Sequence, residues 1–233
     1  MRAFFDKLYK GSAAAFHETV RENLANSRRM FIITANPEIF MFGKENDEIR
    51  NILLDDNTTM VADGIGLVKG AQKLNIKIEE RIPGVELAEK LFRFGDELQK
   101  TIFLLGATKE VIDVLSEVIY QKYPLLKVVG AVNGYTPDKD AVFEEIKALS
   151  PDIVLVALGM PAQEKLIFRH LNDFEKGIFV GVGGSFDVLS GTKKRAPAFF
   201  IKHNIEWLYR IAKEPYRIKR FYKNNIKFLF KLK

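Results

Sequence analysis

Residues 101–132 read TIFLLGATKEVIDVLSEVIYQKYPLLKVVGAV. A six-residue apolar run, TIFLLG, is broken at GATKE, residues 109–123 then follow a helical period, and a second β-rich run, KVVGAV, starts at Lys127 beyond Pro124. A hairpin between the two strands would need only a short turn. A connection that holds a whole helix is a crossover, so the strands are parallel. The alternation recurs along the chain, which predicts an α/β fold: a mostly parallel, Rossmann-like sheet covered by helices.

Working outward, further strands are predicted at MFIIT (30–34), TTMVA (58–62), DIVLVAL (152–158) and IFVGV (178–182). Their nearly unbroken hydrophobicity fits strands buried on both faces. The segment 83–100 is read as a helix with Pro early and apolar residues at Val85, Leu87, Ala88, Leu91 and Phe92, and 139–150 as another. Sheets of this kind bind ligands just beyond the carboxyl ends of their strands. That rule selects TANPEIF (34–40), ADGIG (62–66), GATKE (106–110), NGYTPD (133–138), GMPAQE (159–164) and GGSFDVLSG (183–191). Most of them pair glycine with polar side chains, as a phosphate or sugar pocket requires.

With 233 residues, 47% hydrophobic, the chain is long enough for one well-buried core. The expected organisation is an α/β body over 1–192 and a basic, amphipathic helical appendage over 193–233. There is no cysteine, which excludes disulfides, thiolate metal sites and a cysteine nucleophile and fits a reducing cytosol. The first residues lack the uninterrupted apolar stretch of a signal peptide, and no apolar run reaches the ~20 residues of a spanning helix. The protein is therefore not expected to cross a membrane.

The net charge of +6 is unevenly placed. Residues 193–233 carry thirteen Lys and Arg against two acids, while the remainder is net −5. Nine of the 27 aromatic residues also lie in that tail, and an apolar stripe runs through Ile218, Phe221 or Tyr222, Ile226, Leu229 and Leu232. Aromatic and aliphatic residues interleaved with Lys and Arg suit a helix lying on an anionic membrane surface. The alternative is that the stripe packs on the protein's own core. Nucleic acid is not the expected partner, because no recognition motif accompanies the charge.

Among single residues, Asp63 stands out in VADGIGLVKG (61–70), where a carboxylate follows an apolar strand and precedes glycines. It reads either as the N-cap of the helix beginning at IGLV or as a general base at a cleft mouth. GVGGSFD (181–187) resembles a glycine-rich phosphate loop but matches neither G-x-G-x-x-G nor the P-loop pattern. DKD (138–140) has the D-x-D form of a metal-binding motif, yet it follows Pro137 and opens a helix, so capping accounts for it. His17, His170 and His203 show no ligand spacing, and no metal site is expected. Ser185 does not lie in a G-x-S-x-G elbow, which argues against acyl transfer.

Taken in order, T-A-N-P-E, A-D-G-I-G, R-I-P-G-V-E, N-G-Y, L-G-M-P-A-Q-E, G-V-G-G-S-F-D-V-L-S-G, K-R-A-P and E-W-L-Y-R resemble the WecG/TagA/CpsF glycosyltransferases, family 26. The likeness runs from about Thr34 to Arg217. It implies an inverting, metal-independent enzyme that moves a sugar, often N-acetylmannosamine, from its UDP donor to polyprenyl-diphosphate-linked N-acetylglucosamine on the cytosolic membrane face. Wall teichoic acid linkage-unit synthesis is the process the resemblance favours. A donor carrying ManNAc-uronate or glucose, and a non-catalytic nucleotide- or nucleic-acid-binding module, are the alternatives.

By the same resemblance Asp63 is the catalytic base, Thr34 and Asn36 lie near the reacting sugar, and Gln163 contacts sugar or phosphate. Gly183 and Gly184, with Ser185 and Asp187, would admit the nucleotide. Gly64 and Gly66 would leave space before the carboxylate, and Asn133 of N-G-Y would join the donor-binding set. Without a metal, the leaving diphosphate calls for Arg195, Arg210 and Arg217. Two departures from the family pattern are Glu86 in place of Asp in R-I-P-G-V-E, and Lys165, Leu166 and Ile167 after Q-E in place of an aromatic. No cofactor is expected, and a monomer–dimer equilibrium is.

Overall fold

The computed structural model describes residues 1–203, 205–213 and 228. Helices α1 (Arg2–Lys7) and α2 (Ala13–Ala25) precede strand β1 (Arg29–Ala35). Helices α3 (Pro37–Glu45) and α4 (Asp47–Leu54) lead to β2 (Thr58–Ala62), and α5 (Ile65–Lys73) and α6 (Gly84–Glu97) lead to β3 (Thr101–Gly106). Next come α7 (Lys109–Lys122), β4 (Lys127–Val132), α8 (Lys139–Leu149), β5 (Ile153–Ala157) and α9 (Ala162–His170). β6 (Gly177–Gly181), α10 (Ser185–Leu189), α11 (Ala198–Lys202) and α12 (Glu206–Lys213) follow.

The strands form one six-stranded, wholly parallel sheet in the order β2-β1-β6-β5-β3-β4. Each expected strand is present within a residue of its expected ends. Side chains alternate between faces: Phe31, Ile33 and Ala35 of β1 join one buried cluster, and Ile32 joins the other. In β5, Val154 and Val156 take the first side, Ile153 and Leu155 the second. β4 departs from the expected continuous burial. It is an edge strand with a single neighbour, so Lys127 and Ala131 are exposed.

Local chemistry sets the helix starts. Ser12, Asn36, Asn46, Thr108 and Asp138 each accept a backbone N–H with the side chain and so cap α2, α3, α4, α7 and α8. Helix α6 has no cap of its own, and its first N–H is satisfied from elsewhere in the chain. Insertion of β6 between β1 and β5 is the step that builds the site. It places the loop after β6 beside the loop after β1, about 147 residues away in sequence.

Residues beyond 192 touch the body at several points. Lys193 N–H donates to the Asp187 carbonyl (2.8 Å), Ala196 is buried, and Phe228 is fully buried with its ring centroid 6.0 Å from Phe5 and 6.4 Å from Phe40. The stripe from Ile218 to Leu232 lies outside the described residues. Among the described residues, no helix is long and apolar enough to cross a membrane.

Candidate active site

Asp63 follows the last residue of β2, and its backbone N–H donates to the Ala35 carbonyl (2.8 Å), extending the β1–β2 pairing by one step. Its side chain does not cap α5, whose N-cap is Gly64 with no side-chain bond. Instead Oδ1 accepts from the Gly84 N–H at 2.7 Å, the first residue of α6. The loop before α6 is fastened at the same place, since Ile82 N–H donates to the Ala62 carbonyl (2.7 Å). A helix N-terminus is a favourable partner for a carboxylate, so α6 fixes the position of Asp63.

Gly84 also brings Thr34 to the carboxylate. A Cβ on Gly84 would stand 3.1 Å from Thr34 Oγ1, so glycine allows β1, β2 and α6 to converge at this point. Thr34 Oγ1 in turn donates to the Gly181 carbonyl (3.1 Å), which ties the end of β1 to β6. Asn36 lies one residue past β1, where its Oδ1 accepts from the N–H groups of Glu38 and Ile39. Gly64 faces open space, since a Cβ there would meet nothing within 4 Å, and Gly66 lies in the first turn of α5.

Gly183, at φ +50°, turns the chain from β6 into α10, which Ser185 opens; Gly184 is exposed. Asp187 forms an ion pair with Lys193 (3.1 Å), and its carbonyl collects Ser190 Oγ, Thr192 Oγ1 and Lys193 N–H. Gln163 is 5% exposed and its amide is engaged by the protein. Oε1 accepts from the N–H groups of Gly159 (3.1 Å) and Gly183 (3.0 Å), and Nε2 donates to Glu164 Oε1 (2.8 Å). The amide thus lies beneath the rim, joining two of its loops.

Arg195 binds Glu86 in the first turn of α6 (Nη2 to Oε1, 2.5 Å). The guanidinium therefore sits against the helix whose end holds Asp63, and Glu86, the residue that departs from the family pattern, is its partner. Asn133 is not part of this cluster. It follows β4, three strands from β6, or about 14 Å at ordinary strand spacing, and its Oδ1 accepts from Tyr135 N–H. For Arg210 only its place in α12 is described, and Arg217 lies outside the described residues.

Asp138 caps α8 through Ala141 N–H (2.9 Å), and Asp140 binds Arg169 and His170, so both acids of DKD have structural partners. Hydrogen bonding from His170 is the leading cause that holds the Asp140 carboxyl below its usual range, with Arg169 adding to it. The fold brings Glu144, His170 and Asp173 together with ligand-type atoms within 4.8 Å. Glu144 comes from α8 while His170 and Asp173 lie at and just beyond the end of α9, so the three are joined only by the packing of these two helices. A hollow lined by Arg29, Asp56, Asn57, Asn172 and Glu175 opens at the amino ends of the strands, away from the converging polar groups. Rim chemistry, rather than this hollow, marks the candidate site.

The residue that sequence reasoning missed is Glu164. It is 3% exposed, and burial pushes its carboxyl above the ordinary value of 4.5, only partly offset by the Gln163 hydrogen bond. A raised folded-state value means that the folded chain keeps a proton the unfolded chain releases. Its favourable contribution is then complete below the unfolded value and lost as pH rises through the folded one. Glu164→Gln should accordingly raise the melting temperature more at about pH 8 than at about pH 5. An equal shift at both pH values would contradict the assignment.

The sequence model of the "Glycosyl transferase WecG/TagA/CpsF family" matches residues 5–233. A Staphylococcus aureus (strain MW2) protein named N-acetylglucosaminyldiphosphoundecaprenol N-acetyl-beta-D-mannosaminyltransferase is 37% identical over 205 residues, 87% of this chain and 80% of the relative. A Bacillus subtilis (strain 168) protein of the same name is 39% identical over 189 residues, 81% of this chain and 73% of the relative. With its parallel sheet, its rim motifs in order and these matches, the chain belongs to the WecG/TagA/CpsF family of glycosyl transferases.

Proposed function

We propose that the protein is an inverting glycosyltransferase that moves N-acetylmannosamine from UDP-ManNAc to undecaprenyl-diphosphate-linked N-acetylglucosamine, forming a β-1,4 linkage of the wall teichoic acid linkage unit. The observation that carries the reading is Asp63, held by the Gly84 N–H at the carboxyl end of β2 with Thr34 on the other side of the same glycine. Asp63 takes the proton of the acceptor hydroxyl as its oxygen attacks the anomeric carbon. The bond to UDP breaks on the opposite face, and its electron pair leaves on the diphosphate. Inversion follows from that single displacement.

The departing charge needs N–H donors and cations in a site that excludes water. Gly183 and Gly184 offer backbone at the end of β6, and Arg195 of the appendage is held against α6 by Glu86. No metal or cofactor enters this scheme, and the nucleotide sugar is a substrate. UDP should therefore raise the melting temperature, whereas NAD and single-stranded nucleic acid should not. Stabilisation by NAD without UDP would overturn the reading.

The acceptor's lipid places the reaction at the inner face of the cell membrane, with the chain peripheral to it. Support comes from the exposed aromatic and aliphatic side chains of α11 and α12, Phe199 (62% exposed), Trp207 and Leu208, beside Lys193, Lys194 and Lys202. Replacing Phe199 and Leu208 with serine should weaken binding to anionic vesicles about tenfold or more, from the apolar area each side chain buries. UDP-induced stabilisation should survive. Undiminished vesicle binding would place the contact elsewhere. A second copy of the chain is a candidate partner, tested by sedimentation with and without vesicles.

A further inference from the structure

Glu164 is a buried acid with one oxygen in use. Oε1 accepts from Gln163 Nε2, whereas Oε2 is buried with no hydrogen-bond partner among the described residues. An orphaned polar atom costs stability, and an aliphatic side chain would fill the same volume without that cost. An aliphatic residue could not receive the Gln163 amide as Glu164 does.

That amide has two orientations, and they are not equivalent. Two backbone N–H groups, of Gly159 and Gly183, point at one of its ends. Only the carbonyl oxygen can meet both, so Nε2 must face the other way, toward Glu164. With the acceptor at 164 removed, the NH₂ group is buried without a partner, and the orientation loses its support. Space restricts the amide as well, because a Cβ on Gly181 would come within 2.6 Å of Gln163 Nε2.

The two glycines belong to different rim loops. Gly159 (φ +78°) precedes α9, while Gly183 (φ +50°) precedes α10 and adjoins the exposed Gly184. We propose that Glu164 is a positioning residue for the donor site: by holding the Gln163 amide in one orientation it ties these loops together and keeps the Gly183–Gly184 backbone shaped for a nucleoside diphosphate. The inference rests on the transferase reading and deepens it. Glu164 touches no substrate; it acts through Gln163 on the backbone that does.

The test uses the full chain, with UDP affinity measured by calorimetry, donor KM and kcat measured separately, and amide exchange followed at Gly159 and Gly183. Glu164→Leu is expected to weaken UDP binding about tenfold or more and to raise donor KM more than it lowers kcat. It should also speed exchange at both amides. Glu164→Gln keeps an acceptor oxygen for Nε2 and should restore affinity to within about threefold. Gly181→Ala displaces the same amide from the opposite side, so it should reproduce the Glu164→Leu loss even where the leucine variant folds poorly. UDP affinity unchanged in a folded Glu164→Leu or Gly181→Ala chain would overturn the proposal, as would a glutamine variant as weak as the leucine one. A wild-type chain that takes up no UDP would sink the transferase reading instead, and the exchange rates would still decide whether Glu164 fixes the two loops.

Discussion

Asp63→Asn is expected to lower turnover by about 10²- to 10⁴-fold while UDP binding stays within about twofold of wild type, the range for loss of a general base. The bond to Gly84 tolerates this substitution. Asparagine Oδ1 can still accept from the Gly84 N–H, so the bond that closes β2 onto α6 survives, and the melting temperature should move little. What disappears is the capacity to take a proton from the attacking hydroxyl. Asp63→Ala would confound the two effects, because it also leaves the first N–H of α6 without its acceptor. Single-turnover transfer at saturating donor separates chemistry from binding. A near-normal rate in Asp63→Asn would remove Asp63 from the role of base.

Phe228→Ala is expected to cost about 3–5 kcal/mol of stability, the usual range for truncating a fully buried phenylalanine. For a chain of this length that is a fall of roughly 10 °C in melting temperature. Phe228 packs against Phe5 of α1 and Phe40 of α3, and α3 starts at Asn36 on the rim of the site. Loss of the ring should consequently loosen the α1–α3 corner that Phe228 packs against. Thermal unfolding and proteolysis of the purified chain would show both. A variant as stable and as protease-resistant as wild type would mean that the socket contributes nothing. The same contact explains why cutting the chain after residue 192 is a poor test of membrane binding. It would strip Phe228, Ala196 and the Arg195–Glu86 pair from the body along with the basic charge.

The sheet was legible because its signal is local. TIFLLG, the helical period of 109–123 and KVVGAV lie in one continuous stretch, and the crossover they require fixes strand direction without any long-range information. Strand order was not legible: nothing in 177–181 says that β6 enters between β1 and β5. Asp63 could be found because it directly follows a strand, yet its partner could not. The N–H it holds belongs to Gly84, 21 residues on, and not to the helix that follows it. Gln163 and Glu164 are adjacent in sequence and both buried, and only their hydrogen-bond partners distinguish their roles, one joining the two loops and the other orienting the amide. Asn133 carried a rim motif and follows the edge strand β4, so its motif placed it at the carboxyl end of the sheet but did not set its distance from β6, which strand order decides.

Membership of a glycosyl transferase family and an Asp63-centred rim support the proposed sugar transfer. The most direct test incubates the full-length chain with UDP-ManNAc and a short-chain polyprenyl-diphosphate-GlcNAc in the presence of a chelator, then determines product mass and anomeric configuration. The account predicts UDP release matched by one added N-acetylhexosamine in β linkage. UDP release without glycosylated acceptor, or an α-linked product, would contradict it.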